Sequence, residues 1–308
     1  MNFDFVGKRK IFFGISLVLI VVAIVSFFTK GFEQDIEFKG GTIIDIDLDQ
    51  QVNNTDIENI VKEVVTNEQP RVQKSEQKDE TGNVIKSGVS ISTSALDEEQ
   101  KNAIISKVAE KYGIEDIDSK ATFRTVKPTF GDEMKSRAII ATAISLVAII
   151  VYIAFVFKKV GGLAAAITAF IKLIHDLIIT LMVYSVFGLP LNTTFVAALL
   201  TILGYSIDDT VIIYDRIREN EKNNRKMEMP ELINMSINQT LRRTLFTSLS
   251  VMVALALLYG FSVYYNVGSV QEFSLPLLIG MIAGTYSSIF IASNLWAEWM
   301  LYKNSKKA

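Results

Sequence analysis

The chain has 308 residues, half of them hydrophobic, with a formal net charge of −2. It has no cysteine and one histidine, His175. This excludes disulfide staples, thiolate zinc sites and thiol nucleophiles, and leaves any histidine metal site or Ser-His-Asp triad resting on that one residue; no metal or cofactor is expected. So small a net charge gives no reason to expect a nucleic-acid partner.

The first apolar run, Ile11 to Thr29, follows Lys8-Arg9-Lys10. It matches a full membrane span, exceeds the h-region of a signal peptide, and lacks a small-residue cleavage site after it. It is read as an uncleaved first span, giving a segment 1–30 that comprises a cytoplasmic N-terminus and this helix.

Residues 31–137 are polar and domain-sized. Ile44, Ile46 and Leu48 alternate with Asp45, Asp47 and Asp49, the period of a half-buried strand. Thr55 and Glu58 form a capping-box pattern before Ile57, Ile60, Val61 and Val64 at helical spacing. A strand over Arg71–Ser75, a turn at Thr81-Gly82-Asn83 and a strand around Val89 and Ile91 follow. Ile104, Ile105, Val108 and Tyr112 line a second helix that stops at Gly113, and Ala121–Val126 closes the segment as a strand. The order β-α-β-β-α-β predicts a small α+β ferredoxin-like domain between the first two spans.

Five more apolar runs, Ala138–Phe157, Leu163–Phe187, Leu191–Tyr214, Leu245–Phe261 and Phe273–Leu301, lack strand alternation and predict helices, because lipid offers the backbone no partners. Residues 138–308 thus form a five-helix membrane bundle, for six transmembrane helices in all. Lys and Arg concentrate at the N-terminus, in the loops after the second and fourth spans and at the C-terminus, and are missing from Gly188–Pro190 and Ser262–Val270. By the positive-inside rule both termini and the loop 215–243 are cytoplasmic, and 31–137 lies outside the cytoplasm. Pro230, with Leu232, Ile233, Ser236, Ile237 and Thr240 on one face, predicts a short interfacial helix leading into the fifth span.

The fourth span carries Asp208 and Asp209 between apolar neighbours. Inserting one aspartate near a helix centre costs about 2.5–3.5 kcal/mol, which marks a candidate functional site. Adjacent positions project about 100° apart, so the two carboxylates do not face each other. If the span ended early, both would instead be solvated at its cytoplasmic edge, although Val211–Tyr214 extends the apolar run beyond them. Arg243, at the entry to the fifth span, either pairs with an acid of the fourth or anchors its helix at the headgroups. Lys172, His175 and Asp176 share a face of the third span, where His175 and Asp176 either hydrogen-bond structurally or serve the site. Gly280 and Gly284 give a small-xxx-small packing pattern in the sixth span, followed by Ser287 and Ser288. Two catalytic carboxylates should converge from separate helices, so an intramembrane aspartyl protease is disfavoured.

Nearly the whole chain resembles the SecF subunits of the SecD/SecF family of bacterial protein export. The motifs are Phe38-Lys39-Gly40-Gly41-Thr42, His175-Asp176, Gly204–Asp209 with Asp215–Asn220, Ser236–Leu241 with Arg243–Leu245 and Thr247-Ser248, and Gly280, Gly284 and Ser287-Ser288. The chain departs from the family at Asp208, where asparagine is common. The resemblance implies a subunit of a resistance-nodulation-division (RND) type transporter in the bacterial cell membrane. It implies SecD as partner, forming SecDF, and assistance by the proton motive force to late export of preproteins through the SecYEG channel. Asp209 would carry the proton with Arg243 as its counterpart, and Asp208 beside them; His175, Asp176 and Thr247 would support the relay, and Gly204, Gly280 and Gly284 would pack helices. The alternative is a half-sized small-molecule efflux transporter of the same superfamily. Protons and sodium ions can both use a membrane carboxylate, so the coupling ion stays open.

Overall fold

The computed structural model describes residues 3–48, 52–65, 70–78, 84–114, 116–158 and 161–305. The turn expected at Thr81-Gly82-Asn83 lies outside them. Helix α1 (Arg9–Lys30) has 22 residues. At about 1.5 Å per residue it spans about 33 Å, enough for a bilayer core.

The outer domain, so named because it lies outside the helix bundle between α1 and the next long helix, contains α2 (Ile36–Lys39), β1 (Gly41–Leu48), α3 (Asn54–Val64), β2 (Arg71–Lys78), β3 (Val84–Thr93), α4 (Glu98–Tyr112), α5 (Ile117–Lys120) and β4 (Ala121–Val126). The four strands form one sheet in the order β2-β3-β1-β4, with every neighbouring pair antiparallel. Alternation along β1 turns Ile44, Ile46 and Leu48 inward, where they meet Val89 and Ile91 of β3 and Ile57, Val61, Ile104 and Val108 of α3 and α4. The cap of α3 differs from expectation. Asn53, not Thr55, accepts from a backbone N–H, that of Thr55, so the helix starts at Asn54. An amide side chain two residues upstream offers the same acceptor and extends the helix. In α4 a reciprocal capping box joins Asp97 and Gln100.

Gly40 has φ of 80°, and a Cβ there would meet the backbone of Pro128 at 2.7 Å. Only glycine fits both constraints. The turn thereby brings β1 up beside the start of α6 (Pro128–Val156).

The bundle continues with α7 (Gly162–Phe187), α8 (Thr193–Asn223), α9 (Met229–Tyr264), α10 (Gly268–Ser287), a π-helical turn at Ser288–Ala292 and α11 (Ser293–Ser305). With α1 and α6, these give six segments long and apolar enough to cross a membrane. Three helices outrun their apolar runs. Helix α6 begins ten residues before Ala138, and α8 continues through Asp215–Asn220 to Asn223. The interfacial helix and the fifth span are one 36-residue helix, α9. Nothing between Pro230 and Leu245 breaks a helix, and Leu, Gln, Arg and Met favour one. Hydropathy marks the apolar run, not where the helix begins.

Helices α7, α8 and α10 form the middle, while α1, α6 and α9 lie outside with rows of exposed Ile, Val, Leu and Phe. Residues Phe3 and Phe5 bond the side chains of Asn238 and Asn234 at one end, and Arg9 pairs with Glu298 there. The outer domain sits at the opposite end. Glu37 accepts from Thr193, and Glu272 at the start of α10 is gripped by Arg71 and Gln73 of β2 and by Asn192 at 3.1 Å.

Candidate ion-coupling site in the helix bundle

Asp209 lies within α8 and is 3% exposed. Its carboxylate accepts from Ser248 of α9 at 3.2 Å and Thr285 of α10 at 3.4 Å, and these hydroxyls bond each other at 2.9 Å. Three helices therefore converge on one carboxylate through neutral donors. Ser248 ends a buried stripe of small polar residues, Ser236, Thr240, Thr244 and Ser248, spaced four apart on α9. That stripe is visible in the sequence once a continuous helix is drawn through it.

Arg243 is not brought to Asp209. It is five residues before Ser248, which turns it about 140° away on a helix. Its side chain is exposed, and among the described residues no ion pair or hydrogen bond joins it to Asp209. Thr247 shares its outward side and bonds back to the carbonyls of Arg243 and Thr244 at 2.9 and 3.0 Å. Asp208 and Gly204, one turn apart on α8, are also exposed. Four of the expected site residues thus lie on outward faces of α8 and α9.

A second buried centre lies beside Asp209. Asp176 and Lys172 of α7 are both 0% exposed and form an ion pair at 3.2 Å. Ser206 of α8 ties them together, accepting from Lys172 and donating to Asp176. Lys172 also donates to the Ser206 carbonyl. His175 places Nδ1 3.1 Å from Asp176, while its buried Nε2 has no hydrogen-bond partner among the described residues. From the other side Ser288 donates to the Ser206 carbonyl at 3.2 Å and bonds Thr210 at 3.0 Å, while Ser287 donates to the Gly284 carbonyl at 3.1 Å. Ser287 and Ser288 both point inward where the π-helical turn begins, a backbone irregularity that recurs at functional sites.

Glycines let α10 approach this closely. A Cβ on Gly280 would run into Ile202 of α8, and one on Gly284 would lie 3.0 Å from Ser206 Oγ. Ser206 and Thr285 escape a reading by spacing alone, and the Ser248 stripe is legible as a spacing without its partner, because each role depends on which helices meet. Among the described residues no cluster of histidine, aspartate and glutamate could hold a metal.

Six candidate spans around paired buried carboxylate centres define a multi-pass membrane protein with an α+β domain between its first two spans. The family described as protein export membrane protein SecD/SecF, C-terminal, matches residues 106–302. The chain is 33% identical over 295 residues to a protein translocase subunit SecF of Petrotoga mobilis, covering 95% of this chain and 94% of that one. It is 32% identical over 298 residues to the SecF of Haemophilus influenzae, covering 94% and 83%. A crystal structure of SecDF from Thermus, a translocon-associated membrane protein, superposes with a TM-score of 0.80 at 29% identity over 99% of this chain. A SecDF in a super-membrane-facing form gives 0.71 at 28% identity. The chain spans about two-fifths of those SecDF chains, 39% and 40%. It belongs to the SecD/SecF family of protein export membrane proteins.

Proposed function

We propose that the chain is the SecF half of a SecDF-type translocation machine, with Asp209 as the carboxylate that binds and releases the coupling proton. One observation carries this: Asp209 is buried at the meeting of α8, α9 and α10, and among the described residues its hydrogen bonds come from hydroxyls alone. A carboxylate held so can lose or gain a proton without stranding a directly paired cation. Each proton that moves down a potential of 100 mV supplies about 2.3 kcal/mol for work. Loss of the negative charge weakens the hold on Ser248 and Thr285, so occupancy biases how α9 and α10 sit against α8.

A SecD partner would cover the outward polar side of the site. Asp208, Arg243 and Thr247 are exposed within or beside apolar spans, a costly arrangement facing lipid. The chain's match to about two-fifths of SecDF fits a second, SecD half packing there. In that assembly Arg243 comes under the influence of groups from the other half, which accommodates its place on the outward side. The translocon-associated Thermus relative supports action on preproteins leaving the SecYEG channel. We assign the bundle to the bacterial cell membrane with 3–8 and the end of α11 cytoplasmic, on the distribution of Lys and Arg. We read the outer domain as ferredoxin-like, supported by its strand order, and as the part that proton flow moves against the exported chain.

The test is Asp209→Asn as the sole copy, in cells and in proteoliposomes with SecD. Proton-dependent export should fall to the level without the subunit while folding and insertion persist. Export at the normal rate would rule Asp209 out as carrier. Replacing the proton gradient with a sodium gradient identifies the ion.

A further inference from the structure

Among the described residues Lys172 is the one lysine or arginine buried in the bundle. A lysine there is costly and calls for more than a role in packing. Neutralising Asp176 does not account for its placement. Its ammonium also donates to both the carbonyl and the hydroxyl of Ser206. Ser206 lies one helical turn before Asp209 on the same side of α8. The ammonium is thereby held against α8, one helical turn from Asp209 along that helix.

Among the described residues no other lysine or arginine is buried beside Asp209. Helix α9 presents the Ser248 hydroxyl and turns Arg243 outward, and α10 presents the Thr285 hydroxyl. On α8 itself Tyr205 and Asp208 are the titratable neighbours. On α7, His175 and Asp176 accompany Lys172.

We propose that Lys172 is a positioning residue for Asp209: shared between Asp176 and Ser206, its ammonium sets how readily the Asp209 carboxyl takes up and gives up a proton. This rests on the assignment of Asp209 as the carrier. Asp176 acts as the counterweight, drawing off part of a charge that would otherwise hold Asp209 ionised. The buried pair thus works as an adjustable internal cation, independent of any cation the partner half brings.

The experiment uses the full chain with its SecD partner in lipid nanodiscs. A hydrophobic carbodiimide, which reacts with protonated carboxyls inside membranes, is applied across a pH series. Mass spectrometry reads modification of the Asp209 peptide, with Asp209→Asn as the blank. Lys172→Gln should move the midpoint of modification to higher pH by about one unit or more, a tenfold or greater change in proton affinity. Lys172→Arg should hold the midpoint near that of the parent protein. Asp176→Asn should move it the opposite way, to lower pH, because the ammonium is no longer shared. The double variant Lys172→Gln with Asp176→Asn removes both charges of the pair together, and it should keep the upward shift.

A pair that only holds the fold predicts otherwise: the double variant would restore the parental midpoint. That result, or an unmoved midpoint in folded Lys172→Gln, overturns the proposal. If neither glutamine form folds, the direction of the Asp176→Asn shift decides. Export assays on the same proteins separate the two claims. A moved midpoint with export indifferent to Asp209→Asn sinks the carrier assignment and keeps Lys172. Export lost in Asp209→Asn with a midpoint indifferent to Lys172 does the reverse.

Discussion

In the outer domain the innermost side chains are Ile44, Ile46, Leu48, Ile57, Ile91, Ile104 and Val108, and the charged residues lie outside. In the bundle Ser206, Thr210, Ser236, Thr244, Ser248, Ser287 and Ser288 take innermost positions, while Ile144, Val151, Leu249 and Leu257 face out. The bundle interior also holds Ile153, Phe157, Leu173, Tyr214 and Trp296, so the two regions differ in the small polar residues the bundle adds inside and in the apolar rows it turns outward. Water drives apolar surface inward, so the outer domain closes over branched aliphatic residues. Lipid tails are as apolar as leucine and give no such drive, so the bundle is held by small-residue packing and hydrogen bonds. The same arrangement that packs the bundle also gathers the hydroxyls around Asp209, so its stability and its proposed chemistry draw on the same residues.

The contrast breaks most visibly if a core aliphatic is shortened. Ile44→Ala should cost the outer domain about 2–5 kcal/mol through lost transfer energy and a cavity. Limited proteolysis in detergent should cut between β1 and β4 at much lower protease levels while the bundle fragment survives. Loss of both regions together would show that they fold as a single unit.

The next effect falls on their junction. Glu272 starts α10, and the same helix carries Thr285 to Asp209. It binds Arg71 and Gln73 of β2 and Asn192 of α8's N-cap. Glu272→Ala should weaken docking by about 1.5–3 kcal/mol, the range for hydrogen bonds to charged groups. The absence of native cysteine makes a spin-label pair straightforward to place. The distance distribution between labels on β2 and α10 should broaden, with the unfolding of each region unchanged.

Inside the bundle, Gly280→Val should separate α8 and α10, because its side chain would occupy the space of Ile202. Overpacking of this kind costs about 1–3 kcal/mol. The midpoint of thermal aggregation should fall, and proteolysis of the outer domain should stay as it was. The glycine pair was legible in the sequence as a spacing, as were the six apolar runs and the alternation of β1. The positions that meet across helices were not. The angle between Arg243 and Ser248 follows from helix geometry, but which of them faces α8 is set by tertiary packing. Asn53 and Thr55 are both competent acceptors, so the sequence does not choose the cap of α3, and hydropathy does not reveal the continuous α9.

The smallest effect sharpens the contrast from the watery side. Glu63 of α3 accepts from Lys107 of α4 at 2.5 Å, and Lys111 pairs with Asp56 at 3.0 Å across the same two helices. The Lys107 hydrogen bond, then its charge, holds the Glu63 carboxyl below its ordinary range. A carboxylate with a lowered folded-state pKa adds stability that is present above its unfolded value and disappears as pH falls through the folded one. Lys107→Met should therefore raise the Glu63 midpoint, read by carbon-detected NMR of labelled glutamate, and remove a little acid sensitivity from the outer domain. Its unfolding at neutral pH should barely change, because exposed ion pairs are screened by water and salt. The buried Lys172–Asp176 pair has almost no such screening, so a charge change there should be felt at Asp209 while one at Lys107 remains local. An equal response at both sites would mean that water reaches the bundle centre as freely as it reaches the surface of the outer domain.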